Sequence, residues 1–314
     1  MRHKKLEIPE ILHGKRADIA ISELLGNELS RNQVKDLIKS GDILINDEQC
    51  KPKDRICHND QIDVSIPDAK VSSWSAEDIN LDIIFACDDY AIINKSAGII
   101  MHPGAGVMSG TLANAVAKIY PEVLSLPRNG IVHRLDKDTS GLVVIARNNG
   151  FRNHIAEQFQ NRKVEKKYLA VIKGEILGAL TIDKSIARDR QNRTKMKVDE
   201  SGREAVSEVI SLESFGGYSL VEVKIETGRT HQIRVHLSSN KTPIIGDKAY
   251  GSGSQLIKNL SDNLKDKILS FPRQALHAYQ LAFLDASNEM QTYKSNLPDD
   301  ILGLIESLES NENA

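Results

Sequence analysis

Cysteine is scarce: Cys50, Cys57 and Cys87 are spread over 314 residues with no CxxC pair. That is too few for a disulfide or zinc framework, so the three read as free thiols in a reducing compartment. No run approaches the roughly 20 apolar residues of a membrane span. The opening MRHKKLEIPEILHGKR has basic residues but no apolar stretch behind them, which excludes a secretory signal and gives the expectation of a cytoplasmic protein away from membranes. Internal repeats and low-complexity tracts are absent too. So is a dominant charge: 41 Lys and Arg face 43 Asp and Glu, a formal −2, which taken alone argues mildly against a polyanionic partner. What is present, 40% hydrophobic and 27% charged residues, suits a folded chain of about two domains.

The charge is unevenly placed. From Asn296 to Ala314 there are five acids and no base, and without them the −2 of the chain becomes +3. Arg147–Lys173 holds seven basic and two acidic residues, and Lys184–Arg203 holds seven and three. Screening limits a charge's reach to about 8–10 Å, so such local clusters decide what a polyanion feels. They point to a phosphate-rich partner.

Strand-like apolar runs predict strands over Tyr90–Asn94, Leu142–Ala146, Tyr168–Lys173, Ala205–Leu212, Tyr218–Ile225 and Ala278–Leu284, with Phe215-Gly216-Gly217-Tyr218 as a hairpin turn. Helical spacing marks Leu112–Ile119 and Asn153–Gln160. Strands and helices mix without strict β-α alternation, so the expected class is α+β. A polar stretch places a linker at 68–79. The expected layout is a tail over 1–14, a small unit over 15–67, a larger one over 80–295 and an acidic tail over 296–314.

In the small unit, RADIAISELL reads as a helix and Ser30 as the N-cap of a second helix, Arg31–Lys39. There Arg31, Lys35 and Lys39 recur at i, i+4 and i+8 and form a basic stripe. A solvated helix face is the plain alternative. The stretch resembles an S4 domain, a small RNA-binding module, at Arg16, Asp18, Ser30, Arg31, Ile38, Gly41, Asn46 and Asp60-Gln61-Ile62, with Asn59 where Gly is usual. The resemblance implies RNA binding through backbone and shape. It makes Arg31, Lys35 and Lys39 RNA-binding candidates whose replacement leaves the fold intact.

The most distinctive segment is Gly130-Ile131-Val132-His133-Arg134-Leu135-Asp136-Lys137-Asp138-Thr139-Ser140-Gly141-Leu142, a polar loop feeding a strand. A Ser-His-Asp hydrolase would need its whole triad on this one loop, and no GxSxG elbow exists. HExxH is absent, and the Gly104 and Gly110 loops lack the GK[ST] ending of a P-loop, so no metal or nucleotide cofactor is expected. Asp136 and Asp138 remain rival carboxylates on residue type alone.

This segment resembles the HRLDxxTSGL signature of the RluA family of pseudouridine synthases. Asp89–Lys95, Met101-His102-Pro103-Gly104, Gly110–Ala115, Lys166-Lys167-Tyr168-Leu169-Ala170, Thr227–Leu237, Gly246–Gly251 and Arg273–Ala278 follow the same family's order. Within the family the chain is most similar to the RluD-like group, which acts on large-subunit ribosomal RNA. The resemblance implies a long, mostly antiparallel mixed sheet with a cleft across it. It implies the isomerisation of uridine to pseudouridine: the N1–C1′ bond breaks, the base turns, and a C5–C1′ bond forms, without redox or phosphate transfer. The uridine must be flipped out of its stack.

Carried over, Asp136 is the catalytic carboxylate, Arg234 its cationic partner and Tyr168 the ring that stacks on the flipped base. Arg134 is expected to fill the vacated space or touch the RNA backbone. Ile233 is expected to line the base pocket or to sit in the core, Lys95 to contact phosphate or close a turn, and His231 to lie at the substrate, with His133 and His231 read as structural histidines rather than catalytic bases. Thr230 is expected to cap the helix HQIRVHLSS, with Gly228 easing its start. Arg188, Arg193 and Lys195 are expected on a basic loop holding RNA phosphates. The expected partner is 23S rRNA or an assembling large ribosomal subunit, bound by a monomer. A transfer-RNA synthase of the same chemistry and a catalytically silent assembly factor are the alternatives.

Overall fold

A computed structural model describes residues 2–29, 31–66, 74–104, 106–251, 256–258 and 260–312. Ser30 and residues 68–73, half of the expected linker, lie outside these residues. The N-terminal unit packs two helices, α1 (Ala17–Leu25) and α2 (Arg31–Ser40), on a four-stranded sheet. Its strands are β1 (Arg2–Glu7), β2 (Ile43–Ile45), β3 (Glu48–Gln49) and β4 (Gln61–Ile66), in the order β1-β4-β2-β3. The first 14 residues are therefore not a tail. Arg2–Glu7 pairs antiparallel along the whole of β4, and Ile8 and Leu12 enter the small core with Ile21, Val34, Ile38 and Val64.

Polar residues shape this unit as much as its core. Asn46 donates from Nδ2 to Asp60 Oδ1 at 2.8 Å and accepts from Gln61 N at 2.8 Å, which ties the β2–β3 turn to β4. Asn59, with φ 66°, takes the left-handed conformation that explains a glycine preference there and that Asn tolerates.

Asp18 is fully buried and receives Arg16 at 2.9 and 3.1 Å, Arg31 at 2.9–3.0 Å, and Lys35 at 3.7 Å. Burial opposes its charge, but the hydrogen bonds from Arg16 and Arg31 prevail and hold the carboxyl below its ordinary value. The basic stripe is thus partly structural, which corrects the expectation that it can be removed without touching the fold. Arg31→Ala should cost this unit about 1–2 kcal/mol at pH 7, because a buried carboxylate loses a charged hydrogen bond and the ion pair that goes with it. A carboxyl lowered on folding contributes stability in full above its unfolded pKa and loses it as pH falls through the folded one. The gap between wild type and variant in urea unfolding should therefore close below about pH 4. A gap that persisted at pH 2 would show that Arg31 stabilises through packing alone.

The large unit is a nine-stranded mixed sheet, confirming an α+β fold that is mostly antiparallel. Its strands are β5 (Asp82–Ala86), β6 (Tyr90–Lys95), β7 (Ser140–Ala146), β8 (Glu165–Lys173), β9 (Ala179–Asp183), β12 (Val206–Ser214), β13 (Tyr218–Ile225), β14 (Leu276–Leu284) and β15 (Met290–Lys294). The order is β5-β6-β7-β14-β8-β13-β12-β9, with β15 also paired to β14. Between β9 and β12 the chain makes a separate two-stranded hairpin, β10 (Ile186–Arg188) and β11 (Met196–Val198). Helices α3 (Leu112–Ile119), α4 (Asn149–Gln160), α5 (Gln232–Ser239), α6 (Asp262–Ser270) and α7 (Asp299–Glu312) complete it. Thr111 caps α3 reciprocally with Asn114, a local signal that accounts for the start of that helix.

Two expected boundaries change. Residues 74–79 dock on this unit: Trp74 stacks on His102, Glu77 accepts from Gly110 N at 2.9 Å, and Ser75 O accepts from Asn114 at 2.7 Å. The acidic stretch is α7, not a tail. Its Ile301, Leu304, Ile305 and Leu308 are buried in the main core, and Asp300 binds Arg273 at 2.7 and 2.8 Å. The charge count registers the polar face of this helix and misses the apolar one.

Among the described residues one strand pair, β7 with β14, is parallel, and it sets the geometry of the site. His277 on β14 is paired with Ser140 on β7 on one side and Leu169 on β8 on the other. This brings the polar loop ahead of β7 alongside Tyr168, 32 positions later in sequence. Gly141 has φ 120°, and a Cβ there would lie 2.3 Å from the Ala278 carbonyl. A side chain at this position would push the two strands apart, a physical reason for glycine in the signature.

Candidate active site

The loop ahead of β7, the start of β8 and the turn from β13 into α5 enclose a cleft of about 610 Å³. Asp136, Arg134, Tyr168, His231, Ile233 and Arg234 all line it. Asp138 does not: its carbonyl accepts from Arg273 at 3.2 Å, behind the loop. The geometry thus separates the two carboxylates that residue type leaves level.

Asp136 Oδ2 accepts from Arg234 Nη1 at 3.0 Å. The other edge of that guanidinium is held by Asp247, with Nε to Oδ2 at 2.7 Å and Nη2 to Oδ1 at 2.9 Å. Asp247 also accepts the amide hydrogens of Ala249 and Tyr250 at 2.9 and 3.0 Å, and the Tyr250 ring lies 5.0 Å from the Arg234 guanidinium carbon. Burial disfavours the Arg234 charge, but the hydrogen bonds and field of Asp247, then those of Asp136, more than restore it. A bidentate clamp on one edge of a planar fork aims the other edge at a fixed point.

His231 Nε2 lies 3.9 Å from Asp136 Oδ1, and its Nδ1 is hydrogen-bonded to the Tyr250 hydroxyl at 2.7 Å. Burial lowers its pKa against the pull of Asp136, which favours the neutral ring. The Tyr250 oxygen accepts from Met196 N at 2.8 Å, which connects the β10–β11 hairpin to the site. Tyr168 is 7% exposed. Burial, then the Asp136 charge, raises its pKa, so it presents a neutral phenol beside the carboxylate.

α5 starts differently from expectation. Thr230 makes no cap; His231 takes that position in the left-handed region at φ 57°. Gln232 organises the turn instead, accepting from Arg229 N at 3.1 Å and from Thr227 Oγ1 at 2.7 Å. Gly228 needs no positive φ, and no backbone crowds it.

Lys95 is corrected as a substrate contact. It is fully buried outside this cleft, and its ammonium donates to the carbonyls of Ser96, Ile99 and Lys137 at 2.9, 2.9 and 3.0 Å. One buried lysine thereby closes the turn after β6 and fixes the chain just past Asp136. Burial pushes its pKa down to about 8. Arg188 and Arg193 are exposed and Lys195 half-buried on the β10–β11 hairpin. His133 is structural: its Nε2 accepts from Val144 N at 3.0 Å, and burial lowers its pKa to about 3.

Asp247, Tyr250 and Lys166 are site residues to which sequence reading assigned no role. A buried arginine needs more than one acceptor, and that requirement is the signal that could have led to Asp247. Among the described residues no three His, Cys, Asp or Glu side chains group to hold a metal, and no helix is long and apolar enough to cross a membrane.

The RNA pseudouridylate synthase model matches residues 89–239 and the S4 domain model residues 16–62. "Ribosomal large subunit pseudouridine synthase D" of Xanthomonas campestris pv. campestris is 38% identical, covering 96% of this chain and 91% of that protein. The protein of the same name from Pseudomonas aeruginosa is 37% identical over 100% of this chain and 98% of its own. The solved structure of human RNA pseudouridylate synthase domain containing 4 matches with a TM-score of 0.57 and 27% identity, covering 72% of this chain and 92% of that one. With the signature aspartate facing a clamped arginine in a cleft of this sheet, the chain belongs to the RNA pseudouridylate synthase family and carries an N-terminal S4 domain.

Proposed function

We propose that this protein isomerises specific uridines of large-subunit ribosomal RNA to pseudouridine, acting as a cytoplasmic monomer and needing no cofactor. The observation that carries the reading is the Asp136–Arg234–Asp247 arrangement beside Tyr168. A carboxylate held by a permanent cation can attack or stabilise the sugar or base while the glycosidic bond breaks. Tyr168 stacks on the flipped base, Ile233 packs against it, and Arg134 at the exposed rim enters the gap left in the RNA. Both atoms exchanged at C1′ belong to the same base, and a proton leaves C5 as one is gained at N1, so no co-reactant is consumed.

The name shared by the relatives and the S4 domain support a ribosomal target over transfer RNA. Lys39 on α2, with what Arg31 and Lys35 have left beyond Asp18, and Arg188, Arg193 and Lys195 on the hairpin supply RNA backbone contacts. The test maps pseudouridines in total RNA from cells with and without the gene, rescued by wild type or by Asp136→Ala. Loss of large-subunit sites that only wild type restores is the expected result. Loss confined to transfer RNA would overturn the target, and no loss at all would overturn the activity.

A further inference from the structure

Lys166 lies two residues before Tyr168 on β8, and both are buried, as is Ala170, in the alternation of one strand face. Lys166 and Tyr168 therefore enter the cleft side by side, about 7 Å apart along the strand. Lys166 is 8% exposed, yet no carboxylate among the described residues lies within ion-pair distance of its ammonium, which sits 5.8 Å from the Phe159 ring centre. The neighbouring Glu226 faces Arg162 at 3.9 Å, and Glu204 takes Arg162 at 2.7 and 3.0 Å. The charge that acts on Lys166 is that of another cation, Arg229. Burial, then Arg229, pushes its pKa down to about 8.

A desolvated lysine facing a like charge at the mouth of a cleft is unfavourable in the free protein. An anion resolves both costs. We infer that Lys166 and Arg229 form a phosphate subsite for the RNA backbone adjoining the uridine stacked on Tyr168. This rests on the functional reading above. The spacing along β8 suits it, since a base and its neighbouring phosphate are separated by about the reach of one nucleotide. Phe159 and His133, whose rings stack with centres 4.9 Å apart, line the same cleft beside Lys166, and their low polarity strengthens the attraction for an anion.

The test compares wild type, Lys166→Gln and Lys166→Arg on large-subunit rRNA prepared from cells lacking the gene. It follows pseudouridine formation and RNA affinity across a salt series, with thermal unfolding as the folding check. Lys166→Gln should bind about tenfold more weakly, as expected for losing a charged hydrogen bond. Its slope of log affinity against log salt should be shallower by about 0.7–0.9, the share of one phosphate contact. The loss should sit in KM rather than kcat, and Lys166→Arg should recover most of it. A fall in kcat with an unchanged salt slope would make Lys166 a proton-transfer or positioning group and overturn the subsite. A Lys166→Gln protein with wild-type affinity would overturn it too. If Lys166→Gln fails to fold, Arg229→Gln must show the same shallower slope, or the subsite is rejected. Wild type forming no pseudouridine on this RNA would instead remove the functional reading itself.

Discussion

Asp136→Asn is expected to lower kcat for pseudouridine formation by at least about a thousandfold while leaving the fold in place. Asn keeps the size of Asp and an oxygen able to accept from Arg234 Nη1. Arg234 still has its bidentate partner in Asp247, so no buried cation is abandoned and the stability change should stay within about 1 kcal/mol. What disappears is the negative charge and the nucleophilic oxygen pair. Losing such a group from a unit that acts together removes most of the rate, as single knockouts of other nucleophiles do at about 10⁴–10⁶. Single-turnover formation of pseudouridine, with thermal unfolding alongside, measures both halves. Activity within tenfold of wild type would move the chemistry to another group in the cleft.

Asp247→Ala should have the largest effect on stability. Arg234 would keep one hydrogen bond to Asp136 and lose two, and the amides of Ala249 and Tyr250 would lose their acceptor. Removing one partner of a buried ion pair costs about 3–5 kcal/mol, because the remaining charge stays desolvated. Catalysis should suffer as well, since the guanidinium is then free to swing away from Asp136. Asp247→Asn separates the two effects. Its oxygen can still accept the two amides, but its NH2 group faces a donor of the guanidinium, so kcat should fall more than stability. Urea unfolding and a kcat against KM comparison decide it. An Asp247→Ala protein with wild-type stability and kcat would show that Asp136 alone suffices to hold Arg234.

Asp136 and Asp138 show how far residue type reaches. Both are acids on one loop, and only the motif ranked them before the structure did. Only the folded loop separates them: Asp136 lines the cleft and Asp138 does not, while its backbone carbonyl is held by Arg273. Lys95 is a second case left open by residue type. Phosphate contact and turn closure were both available to it, and three carbonyls decide for the turn, one of them 42 residues away, a distance that leaves no mark in local spacing. Likewise α7 reads as an acidic tail until its apolar face is seen covering the core.

The sequence by itself determined the class of elements and the chemistry available. A continuous apolar run specified β6 and alternating runs β8 and β13, the Phe215–Tyr218 turn joined β12 to β13, and the signature loop named its aspartate. These are local properties, written in side-chain periodicity and backbone preference. Only the tertiary structure decided which charges meet. Net charge near zero conceals a cleft ringed by Arg128, Arg134, Arg162, Lys166, Arg229 and Arg234 against few acids, with the surplus acids elsewhere, several on α7. Electrostatic interaction depends on separation and desolvation rather than on position along the chain. Where Arg234 stands between two aspartates, and Lys166 beside none, is therefore a property of the folded sheet.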